Sequence, residues 1–569
     1  MKHLKKAAGE HKFLIAVYII MGLVMTFLHS FNANYFQRVI DNFTEGTLTT
    51  GNIVIYGSVM IALFFINWTA NYPERKLDDS INMNLKTAAL RKVSVIDYLS
   101  YVKLGTGATI QRIENGASAG TNMLFGFYIR LAHELLPSML FSMFFVFLIS
   151  RAVAIAIGLG YFVVFIISRL LVFIISRLLL KFLYNVKERI LVNEEKFNHF
   201  LVRGFMEMVV FRVNRRFGHE LNKVKDASGE IVSSKVKMRL IHEAFFTIFA
   251  MLIGFVKIGI IVYGWRTSAL SIGQIVALLV LVDNAYFPIS IFNVVYVDYK
   301  LDKVAYARFT EFLDAKEDSR LTHGDAVSEL RGNISFINVG FSYDGREIFN
   351  GFSLDIAHGK TTAFVGESGS GKSTAVKLIA GLLHPNVGQI KIDGFDISKV
   401  NLGSYYAHIA YLPQEPAVFN GTLRENLVFD DDICDSDLID AIKRVGLYDL
   451  YAKLEKGLDT PLGERGVSLS GGERQQLALA RLWFSHAKII ILDEATSAID
   501  NLTEESVMTN VMTLLSGRTV IAVAHRLDSI KSFDNIYVFQ DGCITEQGMF
   551  AELIERGQFF YELYNRSLT

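Results

Sequence analysis

Only 7 of the 569 residues are proline and only 2 are cysteine. So little proline excludes a collagen-like or proline-rich low-complexity chain. Two isolated cysteines, Cys434 and Cys543, exclude a disulfide framework and leave no cysteine cluster for a metal. Net charge is missing too: 57 Lys+Arg balance 57 Asp+Glu, so the total points to neither an acidic nor a basic partner. Apolar residues, by contrast, are abundant. They make up 51% of the chain, with a mean hydropathy of +0.32, which excludes a disordered chain and is greasy for a soluble one. The charge balance is also uneven. Residues 1–310 carry 34 Lys+Arg against 20 Asp+Glu, and the remainder carry 23 against 37. Two halves of opposite character are joined.

Long apolar runs explain the first half. They fall at residues 13–28, 53–70, 135–149, 152–167, 245–263 and 272–295. A helix needs about 20 mostly apolar residues to cross a bilayer, so each run with its flanks predicts one span, six in all. Lys2, Lys5, Lys6 and Lys12 precede the first run, but no small-residue cleavage site follows it, so the run reads as a retained span. The segments after the second and fourth spans are long and basic, with Arg75, Lys76, Lys86, Arg91, Lys92 and Lys103 in one and Lys187, Arg189, Lys196, Arg203, Arg212, Arg215 and Arg216 in the other. The other connections hold Arg38, Arg151 and Arg266 only. Cations are retained on the cytoplasmic side, which predicts cytoplasmic long loops and cytoplasmic termini in a bacterial-type plasma membrane. The basic excess is then topology. No aromatic-interleaved basic patch argues for nucleic acid.

Residues 74–103 and 181–240 have apolar positions at three- and four-residue intervals, which predicts helices running well beyond the bilayer, broken near 105–107 and at Gly204. A tandem octapeptide, Phe-Ile-Ile-Ser-Arg-Leu-Leu-Val then Phe-Ile-Ile-Ser-Arg-Leu-Leu-Leu from residue 165, lengthens the fourth span by about 12 Å of helix. It carries Arg169 and Arg177, which can snorkel to the interface.

At residues 314–330 the composition turns charged and loses its apolar runs, marking a linker between a membrane domain (1–313) and a second domain (331–569). Beyond it, short apolar runs at 334–339, 361–365, 409–412, 488–492 and 519–522 alternate with helical stretches, the pattern of an α/β sheet. After the second of these runs comes Gly366-Glu-Ser368-Gly369-Ser370-Gly371-Lys372-Ser373-Thr374, opening a helix at 375–382. Glycines there let successive backbone N–H groups converge on phosphate, and the helix N-terminus adds positive potential. Lys372 suits the terminal phosphates and Ser373 a magnesium ion. The apolar run 488–492 ends in Asp493 and Glu494. The first fits the metal, and the second, one residue on, fits a general base for the attacking water.

Leu469-Ser470-Gly471-Gly472-Glu473-Arg474-Gln475, shortly before that strand, resembles the signature sequence of ATP-binding-cassette (ABC) proteins. The resemblance extends over the chain: six spans followed by one cassette is similar to an exporter-type (type IV) half-transporter. It implies ATP and Mg2+ as cofactors and a set of further roles. Tyr343 resembles the aromatic that stacks on adenine, and Gln414 the glutamine that touches magnesium and senses the membrane domain. Gly463-Glu464-Arg465-Gly466 resembles the cross-talk motif, Ser497-Ala-Ile-Asp500 the dimer-contact loop, and His525 the switch histidine. Departures are small: Ile499 stands where leucine is usual, and Pro461-Leu462 precede the cross-talk motif. The resemblance further implies that Ser470, Gly471 and Gly472 serve the nucleotide of a second half-transporter chain, identical or related, with two ATPs sandwiched between the two. Short helices near 107–120 and 205–215 would carry the motion to the membrane domain. ATP-driven export or flipping of an amphipathic small molecule, lipid or peptide is the leading function. An importer of metal–siderophore-type substrates on the same architecture is the alternative, with an ATP-gated channel or regulator behind both.

For the cargo, charges inside spans are the local clue. Lys257 and Asp283 lie on the two arms of the last hairpin, about 6 Å apart in depth at 1.5 Å per residue. A pair closing the hairpin and a substrate site are both compatible with that spacing. His29, Asn32, Asn34 and Asn67 read as helix–helix hydrogen-bonding residues.

Overall fold

A computed structural model of the chain describes residues 2–104, 106–161, 181–429, 433–463, 469–524 and 526–568. These fall into two compact units: Met1–Ile96 with Ser100–Lys316, and Asp97–Leu99 with Glu317–Thr569.

The first unit is helical: α1 Lys2–Gly9, α2 Lys12–Thr44, α3 Thr50–Val93, α4 Tyr98–Leu104, α5 Thr106–Thr121, α6 Leu136–Ile149, α7 Arg151–Tyr161, α8 Lys181–Met206, α9 Met208–Val213, α10 Phe217–Thr267 and α11 Ile272–Leu313. Two wider, π-helical stretches, Asn122–Ile129 and Leu131–Leu135, join α5 to α6 without a break in the rod. Among the described residues five helices are long and apolar enough to cross a membrane: α2, α3, the α5–α6 rod from Thr109, α10 and α11. The apolar stretches of α2, α3 and α10 are mostly uncovered by protein, as lipid-facing helices are. The fourth expected span begins as α7; the rest of it, with the tandem octapeptide, lies outside the described residues.

The long helices do continue past their apolar stretches; an unexpected turn follows Val93, the expected break at 105–107 falls at the α4–α5 boundary with Gly105 outside the described residues, and the break expected at Gly204 is not there. The first loop turns after Val93, where the Ser94 hydroxyl donates to the Arg91 carbonyl at 2.8 Å, and its short helix is α4 rather than 107–120. Residues 107–120 lie on α5, the start of the next long rod. In the second loop α8 passes through Gly204, which has open space around it, and breaks at Glu207. A hairpin closed at Arg215 with φ +55° then carries α9, inside the expected 205–215. Many loop cations are paired: Lys86 with Glu114 at 2.6 Å, Lys235 with Glu194 at 2.8 Å and Arg308 with Glu195 at 3.0 Å. Within the spans Ser30 meets Ser142 at 3.3 Å, whereas the buried Oδ1 of Asn32 has no hydrogen-bond partner among the described residues. Ser271 caps α11, accepting from the Gln274 N–H at 3.0 Å while the Gln274 side chain accepts from the Ser271 N–H at 2.9 Å.

In the second unit the strands are β1 Ile334–Tyr343, β2 Arg346–Ile356, β3 Thr361–Gly366, β4 Val387–Ile392, β5 Phe395–Asp396, β6 Ile409–Leu412, β7 Ile489–Asp493, β8 Thr519–Val523, β9 Asn535–Gln540 and β10 Cys543–Gly548. All five expected strands are present. An antiparallel sheet runs β2-β1-β4-β5, and a six-stranded sheet runs β10-β9-β3-β8-β7-β6, parallel from β9 to β6. Alternate residues of the parallel strands fill two cores. Ala363, Val365, Ile490, Leu492, Val520 and Ala522 face one, and Phe364, Ile489, Ile491, Ile521 and Val523 the other. Burial on both faces is why these strands read as continuous apolar runs. Residues 317–330 belong to this unit. Arg320, buried, donates to Asp318 and to the Gly381 carbonyl at 2.7 Å each and to the Ile397 carbonyl at 3.2 Å.

Candidate active site

The chemistry-bearing residues collect where parallel strands β3, β6 and β7 end at their C-terminal edge, the edge at which open α/β sheets hold ligands. β3 runs out at Gly366, φ +143°. A Cβ there would stand 2.1 Å from the Phe539 carbonyl oxygen, so glycine is required for the loop to leave the sheet. The loop closes onto the helix Lys372–Ile379, and the buried Lys372 ammonium donates to the Gly366 and Glu367 carbonyls at 2.8 Å each. Burial pulls the Lys372 pKa down, while the carboxylates of Glu494 and Asp493 push it back up. An open cleft of about 210 Å³ is lined by Ser368, Gly369, Gly371, Lys372, Ser373, Thr374 and Glu494. The loop and the end of β7 thus meet around one volume.

Arg346 and Ile348 line the same cleft, and neither was singled out from the sequence. Their hairpin supplies the signal. Arg346 is in register opposite Tyr343, the expected adenine-stacking aromatic, which itself sits edge-on to Phe341 at 4.8 Å.

Asp493 ends β7, buried, with its Oδ2 accepting from the Tyr411 hydroxyl at 3.2 Å. Burial raises the Asp493 pKa and the Tyr411 hydrogen bond opposes it. Glu494 is left-handed, φ +54°, a conformation that costs a non-glycine residue about 1–2 kcal/mol. Its N–H donates to the Val523 carbonyl of β8 at 3.2 Å, its carbonyl accepts from Gln475 Nε2 at 3.3 Å, and its carboxylate accepts from Gln414 Nε2 at 2.7 Å. The turn therefore aims the carboxylate into the phosphate cleft, beside Gln414.

The signature residues lie elsewhere. Ser470 caps the helix Gly471–Ala480, its Oγ accepting from the Glu473 N–H at 3.2 Å while Glu473 Oε2 accepts from the Ser470 N–H at 2.6 Å. Gly471 lines a separate open groove of about 750 Å³ with Gln414, Arg474, Gln475, Ser497 and Ala498. Gly472 lets this helix press on the neighbouring loop, since a Cβ there would lie 2.8 Å from the Ala498 carbonyl oxygen. Asp500 caps the helix Asn501–Leu514, its Oδ1 accepting from the Thr503 N–H at 3.0 Å, and that backbone bond holds the carboxyl below the usual carboxylate range. Ser370 is buried under the loop, with its Oγ 3.5 Å from the Lys372 ammonium. His525 and residues 464–466 of the cross-talk motif lie outside the described residues.

Among the described residues no three His, Cys, Asp or Glu side chains are grouped to hold a metal by themselves. The oxygen donors at this edge, the Asp493 carboxylate, the Ser373 hydroxyl and the Gln414 amide, are the hard ligands magnesium takes when phosphate supplies the rest.

Residues 349–497 match the family described as ABC transporter. Among curated proteins, the chain is 37% identical over 320 residues to the uncharacterized ABC transporter ATP-binding protein YwjA of Bacillus subtilis, covering 55% of this chain and 56% of that one. It is 35% identical over 308 residues to an ATM1-type heavy metal exporter of Novosphingobium aromaticivorans, covering 54% and 51%. The chain spans about half the length of these relatives. A solved bacterial Atm1-family ABC exporter with ATP bound superposes with a TM-score of 0.84 at 24% identity, covering 99% of both chains. Residues 349–497 of the second unit thus match the ABC transporter family, and the chain as a whole shares the fold of that solved exporter, with helices long and apolar enough to cross a membrane followed by a sheet-containing unit.

Proposed function

We propose that this chain is one half of an ATP-driven transporter that exports or flips an amphipathic substrate, with two ATPs held between its cassette and that of a second half-transporter chain. The observation that carries this is the cleft in which the phosphate-binding loop and Glu494 converge, in a chain whose other unit presents long apolar helices. No signature residue lines that cleft, so a complete site needs Ser470, Gly471 and Gly472 from a partner.

In this reading Lys372 exchanges its two carbonyl acceptors for terminal phosphate oxygens. The N–H groups of residues 368–374 hold the remaining phosphate charge at the helix N-terminus. Ser373, Asp493 and Gln414 would hold a magnesium ion, which would neutralise phosphate charge. Glu494 takes a proton from the attacking water. Tyr343 stacks on the adenine, Asp500 lies at the chain–chain contact, and His525 is the switch histidine. Loss of that phosphate removes the bridge between the two cassettes, a ligand-driven switch between closed and open states. The excess of cations in the two long loops supports cytoplasmic cassettes and termini. The heavy-metal exporter among the relatives supports heavy-metal complexes as the first cargo class to try.

Inside-out and right-side-out vesicles carrying the chain should differ. ATP added outside should drive uptake of a heavy-metal complex only into inside-out vesicles, and Glu494→Gln protein should give none. Equal ATP-independent movement in both orientations would contradict the proposal.

A further inference from the structure

The Glu494 peptide is held in a left-handed turn from both ends, by the Val523 carbonyl on its N–H and by Gln475 on its carbonyl. Gln475 is buried, and its whole amide is spent on one short segment. Nε2 donates to the Glu494 carbonyl at 3.3 Å and to Ser497 Oγ at 3.0 Å, and Oε1 accepts from the Ala498 N–H at 2.8 Å. It sits in the second turn of the signature helix, which Gly472 allows against the Ala498 carbonyl. A side chain from the helix that faces a partner's nucleotide is therefore bonded to the peptide that aims this chain's own carboxylate.

We propose that Gln475 is the positioning residue for Glu494: through its amide, the seating of the signature helix sets whether the carboxylate of the same chain points into its phosphate cleft. The physical reason is the turn. A non-glycine residue leaves the left-handed region once the hydrogen bonds that hold it there are lost, and rotation of that peptide swings the side chain away from the cleft. When a partner's γ-phosphate draws on the signature helix, the same amide carries the displacement to residues 494–498. Hydrolysis in one site is thereby tied to occupancy of the other without contact between the two nucleotides. This rests on the assignment of Glu494 as the base.

The test uses the full chain in lipid nanodiscs with ATP and Mg2+. Gln475→Leu removes all three bonds. Gln475→Glu keeps an acceptor for Ala498 and one for the Ser497 hydroxyl but faces the Glu494 carbonyl with an oxygen, so that link is lost, while a carboxylate is added to the buried position. Both variants should lower kcat by about 10- to 100-fold, with KM for ATP changed less than about threefold and thermal midpoints near the parent's. Gln475→Glu turning over at the parent rate would overturn the proposal. So would a loss of kcat in both variants accompanied by a matching rise in KM and a collapse of the midpoint, which is a packing role. Glu494→Gln, run alongside, separates the failures: if it keeps the parent rate, the base assignment itself is overturned.

Discussion

Glu494→Gln protein should hydrolyse ATP at least about 100-fold more slowly than the parent, because a positioned general base contributes about 10²–10⁴-fold. The change is nearly isosteric and leaves the surrounding bonds available: the N–H to Val523, the carbonyl to Gln475, and a side-chain oxygen for Gln414 Nε2. Nucleotide binding should stay within a few-fold, because Lys372 and the loop N–H groups are untouched. With turnover blocked, ATP remains bound to the closed assembly, and anything that binds only that state stabilises it. The mutant should therefore show a larger ATP-dependent rise in thermal midpoint than the parent. Phosphate release within about fivefold of the parent rate would remove Glu494 from this role.

The second large effect lies in the membrane unit. Lys257 on α10 and Asp283 on α11 form an ion pair at 2.6 Å, as their depths on the two hairpin arms suggest. A single charge left at the middle of a spanning helix costs about 2.5–3.5 kcal/mol on insertion scales. Lys257→Met or Asp283→Asn alone should lower yield and thermal midpoint, and the double change should recover part of the loss. If Asp283→Asn keeps the parent midpoint but abolishes substrate-stimulated ATPase activity, the aspartate binds cargo rather than closing the hairpin.

Much of this architecture was legible because burial leaves a pattern. The doubly buried strands β3, β7 and β8 are unbroken apolar runs, and long apolar stretches mark the spans. Strands β2, β4, β5, β9 and β10 were not singled out: β2, β4 and β10 mix exposed with buried residues, with register shifts along the β1–β2, β1–β4 and β9–β10 pairings, β5 is two residues long, and β9 holds a buried apolar run of only four residues. The break expected at Gly204 was misplaced, and the turn after Val93 was missed, because glycine was read as the breaker. Gly204 has room on every side and stays helical, whereas the turn after Val93 carries no glycine at all. Site residues carrying motif letters converge as their spacing suggests for the phosphate loop and Glu494. Those without motif letters became visible only in three dimensions. Tyr411 reaches Asp493 from 82 positions away, and Arg346 reaches the cleft only through a hairpin register. Gln475 stood inside a recognised motif, yet its bonds to 494, 497 and 498 cross from a helix to a strand end, which no local pattern encodes.

The central claim is that one chain cannot complete an ATPase site. It is tested most directly by loading lipid nanodiscs with one chain or with two and measuring phosphate release per chain at saturating ATP and Mg2+. Two-chain particles should turn over ATP while single-chain particles fall below about one-tenth of that rate, since each lacks a partner's signature surface at its own γ-phosphate. Equal rates per chain in the two preparations would contradict it.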